Sequence, residues 1–393
     1  MADKKPAPVR IENEADRVSE VMEFSRLCRE GRLFEVEAWL NAGKPANFGH
    51  KNVRCTPLGV AIDRGFHSLV EALLKHGFAP TPKHLAFAVR KGQVGIVELL
   101  FRYGTDMNWL SFEEVTSWPK PEILKLFIER GADTHTDYPV AEVLKRAPRA
   151  FLGIYKTYRD RFPDWQFQAD MALRYFCQEG RMRGVCLLLW LKANPRAKVP
   201  IKAGEDPDLW ASALWQACID GHVEIVKKIS PNRTMDDLDE LLRLASGAKS
   251  EELVEYLVAL GANPNAVTAT GETALRSALW TLEWQLDFDR YQPYAYCYRD
   301  AFQTLKRLVQ LGARLKPVGT DELRFLRRCL LKLDWSESYD LIKFLHENNS
   351  IDRAVFPNLL KSPKIRKHVA KRLQALSRLF PELRKGSNAT MSR

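Results

Sequence analysis

Disulfide and metal-site patterns are missing from this sequence. Its seven cysteines, Cys28, Cys55, Cys177, Cys186, Cys218, Cys297 and Cys329, are odd in number and irregularly spaced, and no CxxC occurs. That argues against a disulfide framework and against a structural zinc site. Most of these thiols sit in apolar helical patterns and read as small buried hydrophobes. A run of 18 apolar residues is also lacking, so no segment is expected to span a membrane. The N-terminal stretch MADKKPAPVRIENEADR has no apolar core and does not read as a secretory signal. The cytoplasm is therefore the expected location. There is no GxGxxG, P-loop, HExxH or GxSxG. The eight histidines are scattered; His67 and His222 lie beside turn glycines and His76 precedes a glycine at a helix end, all structural places. The expectation is a protein that is not an enzyme, with no cofactor and no metal.

Basic residues, by contrast, are in excess: 60 Lys and Arg against 49 Asp and Glu over 393 residues, a net +11. Residues 361–393 contain ten Lys or Arg and one Glu, so nine of the eleven charges belong to that segment. The rest of the chain is close to neutral, which argues against a uniformly basic nucleic-acid-binding body.

What is abundant is self-similarity. Residues 56–79 read TPLGVAIDRGFHSLVEALLKHGFA, 209–229 LWASALWQACIDGHVEIVKKI, 122–133 EILKLFIERGAD, 251–265 EELVEYLVALGANPN and 271–279 GETALRSAL. Each fragment fits one scheme: a short helix with small residues on one side, a glycine turn, a second helix, and a closing Gly-Ala-Asp/Asn or a relative of it. Thr56 and Thr273 stand where a hydroxyl caps a first helix. Pro57 falls at the first helical position, where its missing N–H costs nothing. Ala61, Ala88 and Ala217 allow neighbouring pairs to approach. Gly65, Gly92, Gly180 and Gly221 end first helices, and Gly43, Gly77, Gly104, Gly131, Gly261 and Gly312 end second helices.

On these residues the chain resembles the ankyrin repeat family, whose unit is a turn plus two antiparallel helices around a T-P-L-H-x-A signature. The resemblance implies an all-α, ankyrin-like helix-pair solenoid. About ten repeats can be laid out: 18–48, 53–80, 83–108, 111–134, 139–163, 167–195, 209–232, 236–265, 270–313 and 320–349. The closing glycines Gly77, Gly104 and Gly131 are 27 apart, and Lys83-His84 is read as standing in place of the TP. The fifth repeat reads as degenerate, with only a second helix recognisable. The division expected is a flexible segment at 1–16, the array at 17–350 with an insertion at 281–299, a basic helical cap at 351–385 and a disordered tail at 386–393.

The resemblance further implies non-enzymatic protein binding, as adaptor, scaffold or inhibitor, on a concave face lined by first helices and fingers. Counting back from each turn glycine, the fifth, second and first positions are expected to be exposed there. They are Arg26, Arg29 and Glu30; Val60, Asp63 and Arg64; Phe87, Arg90 and Lys91; Tyr175, Gln178 and Glu179; Gln216, Ile219 and Asp220. The first three sets carry five basic residues, one aromatic and two acids, which suits another protein with an acidic or mixed surface; a solvated charged face is the alternative.

Two further stretches stand out. Residues 280–298 hold seven aromatics in nineteen positions, Trp280, Trp284, Phe288, Tyr291, Tyr294, Tyr296 and Tyr298. They read either as a partner-binding or self-association loop or as an extension of the two flanking helices. Residues 361–380, KSPKIRKHVAKRLQALSRLF, place Ile365, Val369, Leu373, Leu376 and Phe380 on one helical stripe. Three readings stay open for them. One is a cap on the last repeat. Another is a nucleic-acid contact in which Lys364, Arg366, Lys367, Lys371, Arg372 and Arg378 neutralise phosphates. The third is a membrane-surface or partner helix. The phosphate reading makes the alternative function an accessory subunit of a nucleic-acid-processing complex.

Overall fold

The computed structural model describes residues 14–44, 46, 56–202, 204–269, 271–291, 298–314, 326, 328, 331 and 335–350. Among them the regular structure is helical, apart from one isolated antiparallel bridge between Val199 and Ala211. In chain order the helices are α1 (Glu14–Glu30), α2 (Leu33–Asn41), α3 (Pro57–Arg64), α4 (His67–Lys75), α5 (Pro82–Arg90), α6 (Val94–Arg102), α7 (Phe112–Thr116), α8 (Pro121–Glu129), α9 (Pro139–Arg146), α10 (Pro148–Tyr158), α11 (Asp164–Gln178), α12 (Met182–Trp190), α13 (Ala213–Ile219), α14 (Val223–Ile229), α15 (Leu238–Gly247), α16 (Glu251–Ala259), α17 (Ala274–Tyr291), α18 (Tyr298–Gln310) and α19 (Trp335–Glu347). The described residues form two compact bodies that divide inside α11, between Ala172 and Leu173; Lys202 and Gly204 go with the first.

Both bodies are stacks of ankyrin-like helix pairs. In the first, α1, α3, α5, α7 and α9 pack side by side as one row, and α2, α4, α6, α8 and α10 form the other. In the second, α13, α15 and α17 make the first row, with α12, α14 in one stretch and α16, α18 in another of the second row. The core lies between the rows: Leu58, Ala61, Ile62, Leu69, Leu73, Leu85, Ala88, Leu100, Ile123 and Phe127 are all buried. Helices this short are marginal alone, so neighbour packing supplies most of their stability.

The sequence explains where the helices start. Thr56 Oγ1 accepts the Gly59 N–H at 3.0 Å with Pro57 at the first helical position. Thr273 accepts the Arg276 N–H at 3.1 Å. Ser111 and Glu114 form a reciprocal capping box on α7.

One expectation is corrected here. The third repeat keeps its TP: Thr81 is the N-cap of α5 and Pro82 its first residue, so Lys83-His84 follows the pair and does not replace it. The Thr81 N–H donates to His84 Nδ1 at 3.2 Å, which puts the ring proton on Nε2, 3.0 Å from Thr56 Oγ1. His84 thus ties the start of α5 to the start of α3. The ring is buried, and burial holds its pKa down at about 4. The unfolded chain binds a proton near pH 6.5 that the folded chain refuses until about pH 4. Stability is therefore expected to fall as pH drops through that window, by about 1–3 kcal/mol, with no contribution above it. The His84→Gln variant should lack that share of the decline. An unchanged difference between wild type and variant from pH 7 to pH 4, read by urea unfolding, would refute it.

The turn glycines are fixed by two constraints at once. Gly180 has φ +65°, and a Cβ there would lie 2.7 Å from the His222 ring, whose Nε2 is 3.0 Å from the Gln178 carbonyl. The same relation recurs up the first body: Phe66 lies against Gly31, Gln93 against Gly65 and Lys120 against Gly92. Gln93 Nε2 donates to the Ile62 carbonyl at 2.7 Å and Lys120 Nζ to that of Gly92 at 2.5 Å. The residue following each turn thus satisfies or covers the end of the helix before it.

The fifth repeat is also corrected: it is a complete helix pair, α9 and α10. No side chain of its own caps α9, whose N-cap Tyr138 is left-handed at φ 54°. Gln168 of α11 does so instead, its Oε1 accepting the N–H groups of Val140 and Ala141 at 2.8 and 3.1 Å. Its Nε2 donates to the Thr134 carbonyl and to Asp164, both at 2.7 Å, so this fully buried amide is completely paired. Trp165, equally buried, sits among Phe151, Tyr155, Tyr158 and Phe162.

In the second body a long finger between α12 and α13 is pinned by Arg174, which is 3% exposed. Its Nη1 donates to the Val199 carbonyl at 2.5 Å and its Nε to Gln216 Oε1 at 3.2 Å; Glu205 stands 3.7 Å away. Nearer the finger base, Arg196 grips Asp236 with two bonds of 2.8 Å. The aromatic stretch at 280–291 continues α17 as helix, which is the extension reading for that part. Leu282 and Leu286 are buried, whereas Trp280 and Trp284 face outward.

A candidate interaction face on the first body

The first-helix row of the first body ends in a line of side chains at the two positions before each turn. In two repeats the final residue leans toward the penultimate one of the repeat before. Lys91 Nζ reaches Asp63 at 2.8 Å, and Arg146 Nη1 donates to Ser117 Oγ at 3.0 Å. Trp118 and Arg90, which correspond in that register, share the wall of one cavity. Cations here sit at helix C-termini, where the partial negative charge favours them.

The cavity lies between α5 and α7 and has a volume of about 390 Å³. Ala86, Phe87, Val89 and Leu110 form its apolar part, and Lys83, Arg90, Glu114, Ser117 and Trp118 its rim. Trp118 is 51% exposed, a large apolar surface left open to solvent. Arg90 and Lys91 flank the Phe87 ring at 5.3 and 5.5 Å.

The expected site residues divide accordingly. Arg29, Arg64, Arg90 and Lys91 are exposed, as the count from the glycines requires. Lys91 is paired with Asp63, whereas Arg29, Arg64, Arg90 and Lys83 form no ion pair among the described residues. Arg26 is exposed but matched twice, by Glu23 at 2.7 Å and Glu30 at 3.0 Å. Phe87 is corrected: it is 2% exposed and adds little open surface to the cavity wall. Gln216 is corrected too, being buried against Arg174, with its Nε2 donating to Asp220 at 2.7 Å. Val60, in the same register, is also buried. Arg26, at the same position of the first repeat, stays exposed, so burial at this position follows from what the adjacent helix presents.

Tyr175 and Gln178 belong to the second body. Tyr175 is half-buried with its ring edge-on to Phe176, and Gln178 is exposed. Trp284 is 54% exposed on α17. The side chains of Phe288, Tyr291 and Tyr298, and all of Tyr294 and Tyr296, lie outside the described residues. So do Lys364, Arg366, Lys367, Lys371, Arg372 and Arg378 with the whole segment from 351 on.

Counting from glycines misses Lys83, Trp118 and Arg146. In the fourth repeat Pro119 stands where the others have their turn glycine, and α9 ends at Arg146, capped by Ala147, with no glycine at all. Aligning Pro119 with Gly92 would have placed Trp118 beside Arg90.

Three cysteines, Cys28, Cys177 and Cys218, are buried and Cys186 is exposed. Burial pushes the Cys28 and Cys177 thiols up to about 12, away from nucleophilic use. No group of three metal-ligating side chains converges among the described residues, and no helix among them is long and apolar enough to cross a membrane.

No protein-family model matches the chain, and no curated protein does. Among solved structures, the human ASB11 ankyrin repeat domain is 19% identical, covering 64% of this chain and 89% of that one, with a TM-score of 0.21. The ankyrin repeat domain of Bcl-3, described as a unique member of the IkappaB protein family, is 18% identical, covering 64% and 91%, with a TM-score of 0.30.

Proposed function

We propose that the chain is a non-catalytic protein-binding array, an adaptor, scaffold or inhibitor, that receives its partner on the first-helix row of the first body. One observation carries this reading: among the described residues Arg29, Arg64, Arg90 and Lys83 stand exposed without ion pairs, and Lys83 and Arg90 share a cavity wall with a half-exposed Trp118. Cations held at helix ends next to an open aromatic are the residue types that dominate interface energetics. A partner presenting carboxylates would find them without first breaking ion pairs, and would be steered toward them. The alternative, phosphate contact through 361–380, rests on residues outside those described.

The test is charge reversal, Arg64→Glu with Arg90→Glu and Lys91→Glu, in the full chain. These side chains are exposed, so the melting temperature should stay close to that of the wild type. Partner recovery by affinity purification should fall by about tenfold or more. Full recovery of the same partners by the folded triple variant would end the proposal.

A further inference from the structure

We propose that the α5–α7 cavity is the anchor pocket for an extended acidic peptide segment, in which one apolar side chain is flanked by carboxylates. This rests on the protein-binding reading above and specifies its ligand.

The interior supplies the anchor's environment. Phe87 and Val89 are each 2% exposed and Leu110 9%, so their surfaces toward the cavity are rigid parts of the core. Ala86 keeps the entrance open, because a longer side chain at that position would fill it. The volume, about 390 Å³, falls within the range of ligand pockets, roughly 300–1,000 Å³. Trp118 stands at the rim with half its surface in water, poised to cover an apolar side chain lying against Ala86 over the Phe87 and Leu110 floor.

The rim supplies the sign of the charge. Lys83 and Arg90 bracket the cavity on one face of α5, seven residues apart, which is roughly 10 Å along the helix. Arg146 joins from α9, its guanidinium bonded to Ser117 of the same rim. The one acid in the wall, Glu114, is engaged in capping α7: its Oε2 accepts the Ser111 N–H at 3.0 Å. Roughly 10 Å is also the distance spanned by three residues of extended chain. A peptide with acids just before and two places after its apolar residue would set one carboxylate near Lys83 and the other near Arg90. A nucleic-acid strand fits less well, since phosphates would pass Glu114 and leave the apolar interior unused.

The experiment is selection of phage-displayed random peptides on the immobilised full chain, followed by anisotropy measurements with the enriched peptides, fluorescein-labelled. The expected result is enrichment of an apolar residue between Asp or Glu residues. Binding should weaken about tenfold or more with Trp118→Ala, with Lys83→Glu and with Arg146→Glu. It should weaken similarly when the peptide's apolar residue becomes Ala, or its acids become Lys. Lys83→Glu changes only an exposed side chain, so it reads the pocket even where Trp118→Ala unfolds the region. Enriched peptides that bind these variants as well as wild type overturn the proposal. So do peptides without acids, an absence of enrichment, and displacement of the peptides by a short oligouridylate at physiological salt. If the charge-reversed triple variant still loses its partners while no pocket-dependent peptide emerges, the protein-binding reading stands and the anchor pocket does not. If partners are retained as well, both fail.

Discussion

Replacing Arg174 by Met is expected to destabilise the second body by about 3–5 kcal/mol, the cost of removing one member of a buried charged network. Arg174 is 3% exposed, and burial lowers its pKa against the opposing pull of Glu205 and Asp220. Its close bonds are to neutral acceptors: the Val199 carbonyl at 2.5 Å and Gln216 Oε1 at 3.2 Å, with Glu205 more distant at 3.7 Å. Met fills much of the volume but donates nothing. The Val199 carbonyl then keeps only the Ala211 N–H, the buried Gln216 Oε1 loses the Arg174 donor at about 1–3 kcal/mol, and Glu205 loses its cation. The finger should loosen before the helices do. Val199 and Ala211 bond each other's backbones at 3.2 and 3.3 Å, so their amide hydrogens report it directly. Amide exchange at these two positions as slow in Arg174→Met as in wild type would sink the account.

Trp165→Ala is expected to cost about 3–5 kcal/mol in the first body. The indole is fully buried, stacked on Phe162 at 4.9 Å and ringed by Phe151, Tyr155 and Tyr158 between 5.6 and 6.3 Å. Its Nε1–H donates to Thr134 Oγ1 at 3.2 Å. Truncation leaves a large cavity that these rings cannot close, because three of them are fixed together on α10. Trp165→Phe keeps most of the apolar area and loses the hydrogen bond, so it should cost clearly less. Chemical denaturation followed by near-ultraviolet circular dichroism compares the two; equal losses would mean that packing around the indole is not what stabilises α10.

Much of the fold could be read from the sequence because its punctuation is local. A Thr-Pro at a helix start and a glycine at a turn each act within a few residues. Pro57, Gly65, Gly92, Gly180 and Gly221 were therefore enough to phase most repeats. Glycine spacing alone starts the third repeat two residues late, because its true start is marked by Thr81-Pro82. The pair α9 and α10 was hidden for a different reason: the cap of α9 is supplied by Gln168, 28 residues away from Val140. No rule of short range detects a helix capped from another repeat. The candidate face was half legible. Exposure at the last two positions of each first helix follows from the turn, and Arg64, Arg90 and Lys91 are exposed accordingly. Burial of Phe87 and Gln216 depends on what the adjacent helix presents, which a single repeat does not contain. Trp118 went unnoticed because Pro119 occupies its turn.

The cross-repeat contacts of the first body share one direction. His84 reaches back to Thr56, Gln93 to Ile62, Lys120 to Gly92, Arg146 to Ser117, Tyr158 to Glu129, and both Trp165 and Gln168 to Thr134. In each case the later repeat completes the earlier one. The stack is consequently polar in what it tolerates. A cut on the N-terminal side leaves side chains of the next repeat, such as Gln93 or Lys120, without their acceptors and free to turn to water, whereas a cut on the other side leaves carbonyls and helix starts of the preceding repeat without the groups that close them. Repeats in such a stack are not interchangeable modules, and reordering them would separate donors from the acceptors they were placed to meet.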